Sequence, residues 1–226
     1  VKGFEEVAEG LRRFAFAPAD LANVYLLGDV LVDAGGRFAP RKLLRALGSH
    51  QVRAHAVTHA HFDHQGGSRR VRDSLRIPVW CGEGDREAME TGDLSGVLPN
   101  PGTPFAKLHQ ALAGPACPVE RTLKNGDAVG EFEVVETPGH TPGHLAYWRE
   151  SDRALVLGDV LFHKNPVTFR TGLQEPFHFA TYDRRLNRES ARKLAALKPS
   201  LICFGHGAPL RDTQLFVDFV AGLPNS

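Results

Sequence analysis

The 226-residue sequence predicts one α/β domain over residues 1–226. Three observations carry that prediction. Strand pairs are followed by helices twice along the chain. Apolar residues make up 42% and charged residues 23%, the balance of a globular protein. A chain of this length buries roughly 70–75% of its unfolded surface, so it needs no disulfide staple.

The elements follow in order. Val24–Leu27 and Val30–Val32 flank Gly28-Asp29, the pattern of a tight hairpin. Arg41 to Leu47 carries Leu43, Leu44 and Leu47 on one helical face and stops at Gly48. Val52 to Thr58 and Pro78 to Cys81 read as strands, Gly66 to Leu75 and Asp85 to Glu90 as helices. Between Gly92 and Pro118, five prolines (99, 101, 104, 115 and 118) predict a loop-rich insertion of the kind that forms lids. Phe132–Glu136 is a strand. Leu145–Trp148 and Ala154–Leu157 form a hairpin around Ser151-Asp152. Arg184–Leu197 is a helix ending before Pro199, and Leu201–Phe204 is a buried strand. Thr213–Leu223 is a final helix with Leu215, Phe216, Phe219 and Val220 on its apolar side.

Composition removes several function classes. Lys+Arg is 27 and Asp+Glu 26, a net charge of +1, without the basic excess of a nucleic-acid binder. No apolar run approaches a membrane span. The opening Val1–Glu6 is acidic and has no signal-peptide core. Cys81, Cys117 and Cys203 are odd in number and widely spaced, which predicts reduced thiols and a cytoplasmic protein. There is no G-x-S-x-G elbow and no phosphate-binding loop, and Gly82-Glu83-Gly84 lacks the third glycine of a dinucleotide fingerprint.

The histidines carry the chemistry. His59-Ala60-His61-Phe62-Asp63-His64 follows a strand. His59 and His61, two apart in extended chain, point the same way and can share one metal. Asp63 and His64 follow where the chain turns, and can face a second ion. Imidazoles and a carboxylate suit zinc, with iron or manganese as alternatives. Three more strand ends bring ligand-type side chains beside small residues: Thr137 to His144, Gly158-Asp159 and Gly205-His206-Gly207. Leu27–Leu31 and Leu157–Leu161 repeat as strings, yet the strand-end counterpart of Asp159 is Asp33; Asp29 belongs to a turn and has no site role.

These motifs, from Asp33 to His206, resemble the metallo-β-lactamase superfamily, in particular its hydroxyacylglutathione hydrolase (glyoxalase II)-like members. The resemblance implies a four-layer αββα sandwich with two divalent metal ions at one edge of the sheets. It implies that His59, His61 and His140 hold one ion, that Asp63, His64 and His206 hold the other, and that Asp159 bridges them. Asp33 would support the metal-binding loop. Of the two Pro-Gly-His histidines, His140 would be the ligand and His144 a structural hydrogen bonder, like Thr58 and Thr137. His50, His55 and His109 have no motif and read as filler. The Cys-Gly-Arg loop and the helical domain that grip glutathione in glyoxalase II have no counterpart in this sequence, so the resemblance carries hydrolysis over and leaves the role of glutathione open.

The expected activity is hydrolysis of an ester, thioester or lactone in a small molecule, by a hydroxide shared between ions about 3.5–4 Å apart. Asp63 would both ligate and orient the nucleophile. An acyl-homoserine lactonase and a phosphodiesterase or nuclease are the alternatives on the same ligand set. A true β-lactamase lacks the bridging aspartate that Asp159 supplies. Specificity should come from Gly96–Pro118 and His163–Tyr182, where Lys164, Arg170, His178 and Tyr182 suit an acidic substrate tail. Packing of these residues in a homo-oligomer is the other use for them.

Overall fold

Period-two alternation of apolar side chains builds two sheets that bury one face against each other. The computed structural model describes residues 3–16 and 20–224; Val1 and Lys2 of the opening stretch lie outside them. Seven strands stand side by side in chain order: β1 (Glu5–Ala8), β2 (Leu11–Phe16), β3 (Ala22–Leu27), β4 (Val30–Val32), β5 (Ala54–Ala56), β6 (Val79–Gly82) and β7 (Arg121–Leu123). The first four are antiparallel, and β4 to β7 run parallel. Parallel neighbours need crossovers. Those crossovers carry α1 (Pro40–Leu47), α2 (Phe62–Gln65), α3 (Ser68–Leu75), α4 (Arg86–Thr91) and α5 (Pro104–Leu112).

The second half holds β8 (Ala128–Val129), β9 (Phe132–Glu136), β10 (Leu145–Arg149), β11 (Ala154–Val156), the hairpin β12 (Phe162–Lys164) and β13 (Thr171–Gln174), α6 (Arg184–Ala196), β14 (Leu201–Cys203) and α7 (Gln214–Ala221). Five of these strands form the second sheet, in the order β14-β11-β10-β9-β8. Val30, Val32, Ala54 and Ala56 of the first sheet share one core with Leu145, Tyr147, Val156 and Cys203 of the second. The alternate residues face outward. Leu31 packs with Leu43 and Val71 under α1 and α3. Val79 and Cys81 pack with Ala88 and Met89 of α4. Ala146, Leu155 and Ile202 pack with Leu194 and Phe216 of α6 and α7. The layers are therefore helix, sheet, sheet, helix, the αββα sandwich.

Some elements depart from the sequence reading. β1 and β2 were hidden by charge: Glu5 and Glu6 pair across the strands with Arg13 and Arg12, in ion pairs of 2.5 and 2.8 Å. The insertion is not loop throughout. Pro104 is the first residue of α5, where it costs no hydrogen bond, and Thr103 Oγ1 caps the helix by accepting from Ala106 N at 3.1 Å. The stretch after Asp159 contains the β12–β13 hairpin. Leu215, expected on the apolar side of α7, is 54% exposed, while Phe216 and Val220 are buried.

Candidate metal centre

The chain ends of β5, β9, β11 and β14 open on one edge of the sandwich. β5 leads through Thr58 to His59 and His61; α2 then carries Asp63 and His64. The β9–β10 loop brings His140, Asp159 follows β11, and His206 follows β14. All seven of these candidate ligands meet there. His59, His61 and His140 form one set of donors and Asp63, His64 and His206 another, the donor atoms of each set lying within 4.8 Å of one another. Asp159 Oδ2 sits between the sets, 3.0 Å from His206 Nε2, 3.4 Å from His64 Nε2, 3.6 Å from His140 Nε2 and 3.8 Å from His59 Nε2. Glycine is required beside it: a Cβ on Gly205 would collide with Asp159 Oδ1.

Outer partners decide which nitrogen each ring turns inward. Thr58 Oγ1 donates to Asp33 Oδ2 at 2.8 Å, so His59 Nδ1–H donates to Thr58 Oγ1 at 3.0 Å. His64 Nδ1 donates to Asp33 Oδ2 at 2.9 Å. His140 Nδ1 donates to Thr181 Oγ1 at 3.3 Å, whose own proton goes to Phe177 O at 2.9 Å. His206 Nδ1 donates to Leu21 O. Four rings thus turn Nε2 towards the centre. His61 Nε2 lies 3.4 Å from Val97 O, which places its proton there and leaves Nδ1 as the lone pair. Asp33, at φ 64°, adopts the left-handed region that non-glycine residues rarely occupy. Thr58 N, donating to Asp33 Oδ1 at 2.7 Å, helps hold it there.

His59 Nε2, His140 Nε2 and Asp159 Oδ1 are buried without a hydrogen-bond partner. Orphaned polar atoms of this kind are costly unless an ion or water satisfies them. Lone pairs of imidazole nitrogen and carboxylate oxygen aimed at common points fit divalent metals. The electrostatics separate the two sets. Burial holds His59 and His61 well below the ordinary histidine range and His140 at about 3, so these rings are neutral. Burial also pulls His64 down, but Asp159, Asp33 and Asp63 outweigh it and raise it well above its ordinary value. His206 is raised in the same way, chiefly by Asp159 against burial. Burial pushes Asp159 up, yet His206 and His64 hold its carboxyl well below the usual range.

The remaining sequence candidates lie around this centre. His144 is buried behind it, with its ring 6.0 Å from that of His140. Lys164 is half-buried in β12; Arg170 is exposed beside β13; His178 and Tyr182 are exposed before α6. Tyr182 reaches the metal loop through its backbone, donating from N to His140 O at 3.1 Å. His50 and His55 use their nitrogens locally, His55 on Leu31 O and Ser68 Oγ. His109 departs from the filler reading: its ring stands 4.7 Å from that of His61, and its Nε2 accepts from Phe62 N at 3.4 Å.

Sequence reasoning also missed Asp85. This buried carboxylate accepts from Ala60 N (2.8 Å), Thr141 Oγ1 (2.7 Å) and Gly143 N (2.7 Å), tying the His59–His61 segment to the His140–His144 loop. Its position just past β6 resembles those of Asp33 and Asp159 past their strands, the one signal that could have found it.

A family model described as the metallo-beta-lactamase superfamily matches residues 17–206. Probable metallo-hydrolase YybB of Bacillus subtilis (strain 168) is 30% identical over 198 residues, covering 84% of this chain and 81% of that protein. A hydroxyacylglutathione hydrolase of Rhodospirillum rubrum is 33% identical over 109 residues, 46% of this chain and 32% of that enzyme. Among solved structures, TTHA1623 in a di-iron-bound form superposes with a TM-score of 0.70 at 27% identity, over 92% of this chain and 96% of that one. A family match over most of the length, together with strand-end histidines and aspartates gathered at one sheet edge, makes the conclusion plain: the chain belongs to the metallo-beta-lactamase superfamily.

Proposed function

We propose that this metallo-hydrolase is dinuclear and cleaves an ester, thioester or lactone bond in a small molecule. The observation that carries the reading is Asp159, whose single Oδ2 faces four imidazole Nε2 atoms at 3.0–3.8 Å. His59, His61 and His140 would hold one ion, Asp63, His64 and His206 the other, with Asp159 shared. The donor chemistry favours zinc, and the di-iron form of TTHA1623 makes iron the first alternative. Bound there, the ions would supply Lewis acidity and lower the pKa of water.

The chain's own groups do the rest. Asp63 is the only one of the seven that is partly open to solvent, at 28% of its side chain, and its Oδ2 lies 3.5 Å from His206 Nε2. It can accept a hydrogen bond from an incoming water and so orient it towards the carbonyl. His178 and Tyr182, exposed on the segment that donates to His140 O, are the candidates to protonate the leaving group. Lys164 and Arg170 are the cations offered to an acidic tail on the leaving-group side of the substrate. The buried, unpaired cysteines support a reducing compartment, here the cytoplasm.

The test is turnover by metal-loaded protein on a panel of esters, thioesters, acyl-homoserine lactones and phosphodiesters. Carbonyl substrates should turn over, and chelation or Asp63→Asn should abolish it. Turnover of phosphodiesters alone would replace this reading with the nuclease one.

A further inference from the structure

Two segments that are far apart in sequence meet in front of the metal centre through aromatic rings. On one side, the ring of His61 stands 4.7 Å from that of His109, and His109 stands 5.5 Å from Phe105, one turn earlier on α5. Phe105 then touches Phe179 across the gap, edge to face at 4.6 Å. On the other side, Phe179 stacks on Phe177 at 5.1 Å and 7°, and Phe177 contacts Phe162 at 5.9 Å. Phe162 packs against His206 at 4.8 Å and His140 at 6.3 Å, and His140 returns to His61 at 4.5 Å. The contacts close into a circuit. Two of its members, His61 and His140, belong to one metal-binding set; the opposite arc is phenylalanine.

That arc is built to stay, yet it is open enough to be met. Phe162 is buried and Phe177 and Phe105 half-buried, whereas Phe179 is 38% exposed. The two arms are anchored to the centre itself. His109 Nε2 accepts from Phe62 N, the first residue of α2, and Thr181 Oγ1 links Phe177 O to His140. The acyl group of a carbonyl compound bound at this centre would meet these rings where the two segments converge.

We propose that Phe105, Phe177 and Phe179 form an apolar collar that binds an aryl or alkyl group attached to the reacting carbonyl. The collar selects esters or thioesters with apolar acyl groups over acetyl or charged acyl groups. Aromatic contacts are worth about tenfold in binding per ring. The inference rests on the hydrolase reading above and names the substrate class of that same site.

The test uses metal-loaded protein and 4-nitrophenyl esters that share one leaving group: acetate, butyrate, phenylacetate and hemisuccinate. kcat/KM should rise from acetate to phenylacetate by at least tenfold and be lowest for hemisuccinate. Phe105→Ala and Phe179→Ala should each cut the phenylacetate-to-acetate ratio about tenfold, with metal content kept; Phe179→Leu should keep the butyrate preference. Calorimetry with the product carboxylates gives a second readout that needs no turnover: phenylacetate should bind at least tenfold tighter than acetate, and lose that advantage in both alanine variants. Equal binding of the two carboxylates, or a hemisuccinate preference, overturns the collar while leaving the hydrolase intact. Selective phenylacetate binding with no turnover of any carbonyl substrate keeps the collar and overturns the hydrolase.

Discussion

The Asp159 backbone N–H donates to His144 Nε2 at 3.1 Å. That bond takes the one lone pair His144 has, because its Nδ1 carries the proton and donates to Thr137 Oγ1 at 2.8 Å. Both ring nitrogens are therefore committed to bracing the loop, and burial holds the ring neutral, at about 4. His140, four residues nearer the β9 end of the same loop, has its Nε2 free. The two Pro-Gly-His histidines are thus chemically unlike although their sequence contexts match.

Replacing these partners should have unequal effects. Asp159→Ala removes the carboxylate shared by both donor sets, whereas His144→Ala removes a brace. We expect Asp159→Ala to cost at least ~100-fold more in kcat/KM than His144→Ala. Metal content by elemental analysis should fall in the first variant and hold in the second. Equal losses would reverse the roles given to His140 and His144.

Metal content should reach two equivalents at pH 8 and drop towards one as the pH falls. The reason is the difference between the sets. Histidines held below their ordinary range stay unprotonated in acid, so His59, His61 and His140 need displace no proton. His64 and His206, raised by Asp159, must lose protons before they ligate, so binding at their site weakens sooner as pH decreases. Dialysis against graded pH followed by elemental analysis checks this. Parallel loss of both ions would contradict it.

Asp85 should be a stability determinant with a particular pH signature. Asp85→Ala leaves Ala60 N, Thr141 Oγ1 and Gly143 N without their acceptor, at a cost of about 3 kcal/mol. Burial lifts the Asp85 carboxyl to about 6 even though three hydrogen bonds lower it. A folded-state pKa above the unfolded one stabilises most at low pH, and that part is lost as pH rises through about 6. The unfolding free energy of the wild type minus that of Asp85→Asn should therefore decrease between pH 4 and 6. Denaturant titrations of both proteins across that range measure the difference, which cancels the histidine contributions common to both.

Arg170→Ala and Tyr182→Phe probe the segment before α6. If these side chains meet an acidic substrate tail or donate to the leaving group, KM or kcat should change several-fold on anionic substrates, with metal content unchanged. Wild-type kinetics across the panel would remove both residues from the site.

The sequence by itself determined which candidate ligand types stand at which strand ends and, through the family resemblance, the sandwich. His-x-His at a strand end and Gly-Asp or Gly-His at others are local statements: period two sets which way side chains point, and glycine lets the backbone turn beside a buried carboxylate. The main strands and helices of both halves were legible because their apolar periodicity is local too. Tertiary structure decided the remainder. β1 and β2 were masked because Glu5, Glu6, Arg12 and Arg13 interrupt the apolar alternation, and Leu11 and Phe14 find their core partners only in the folded sheet. The split between His140 and His144 depends on whether Asp159 N or a bare pocket lies opposite, a contact 15 residues away for His144. Asp85, His109 and the phenylalanine arc acquire their places only when α5 and the segment before α6 are folded against the centre. Their partners lie tens of residues away, and no motif marks a contact made across that distance.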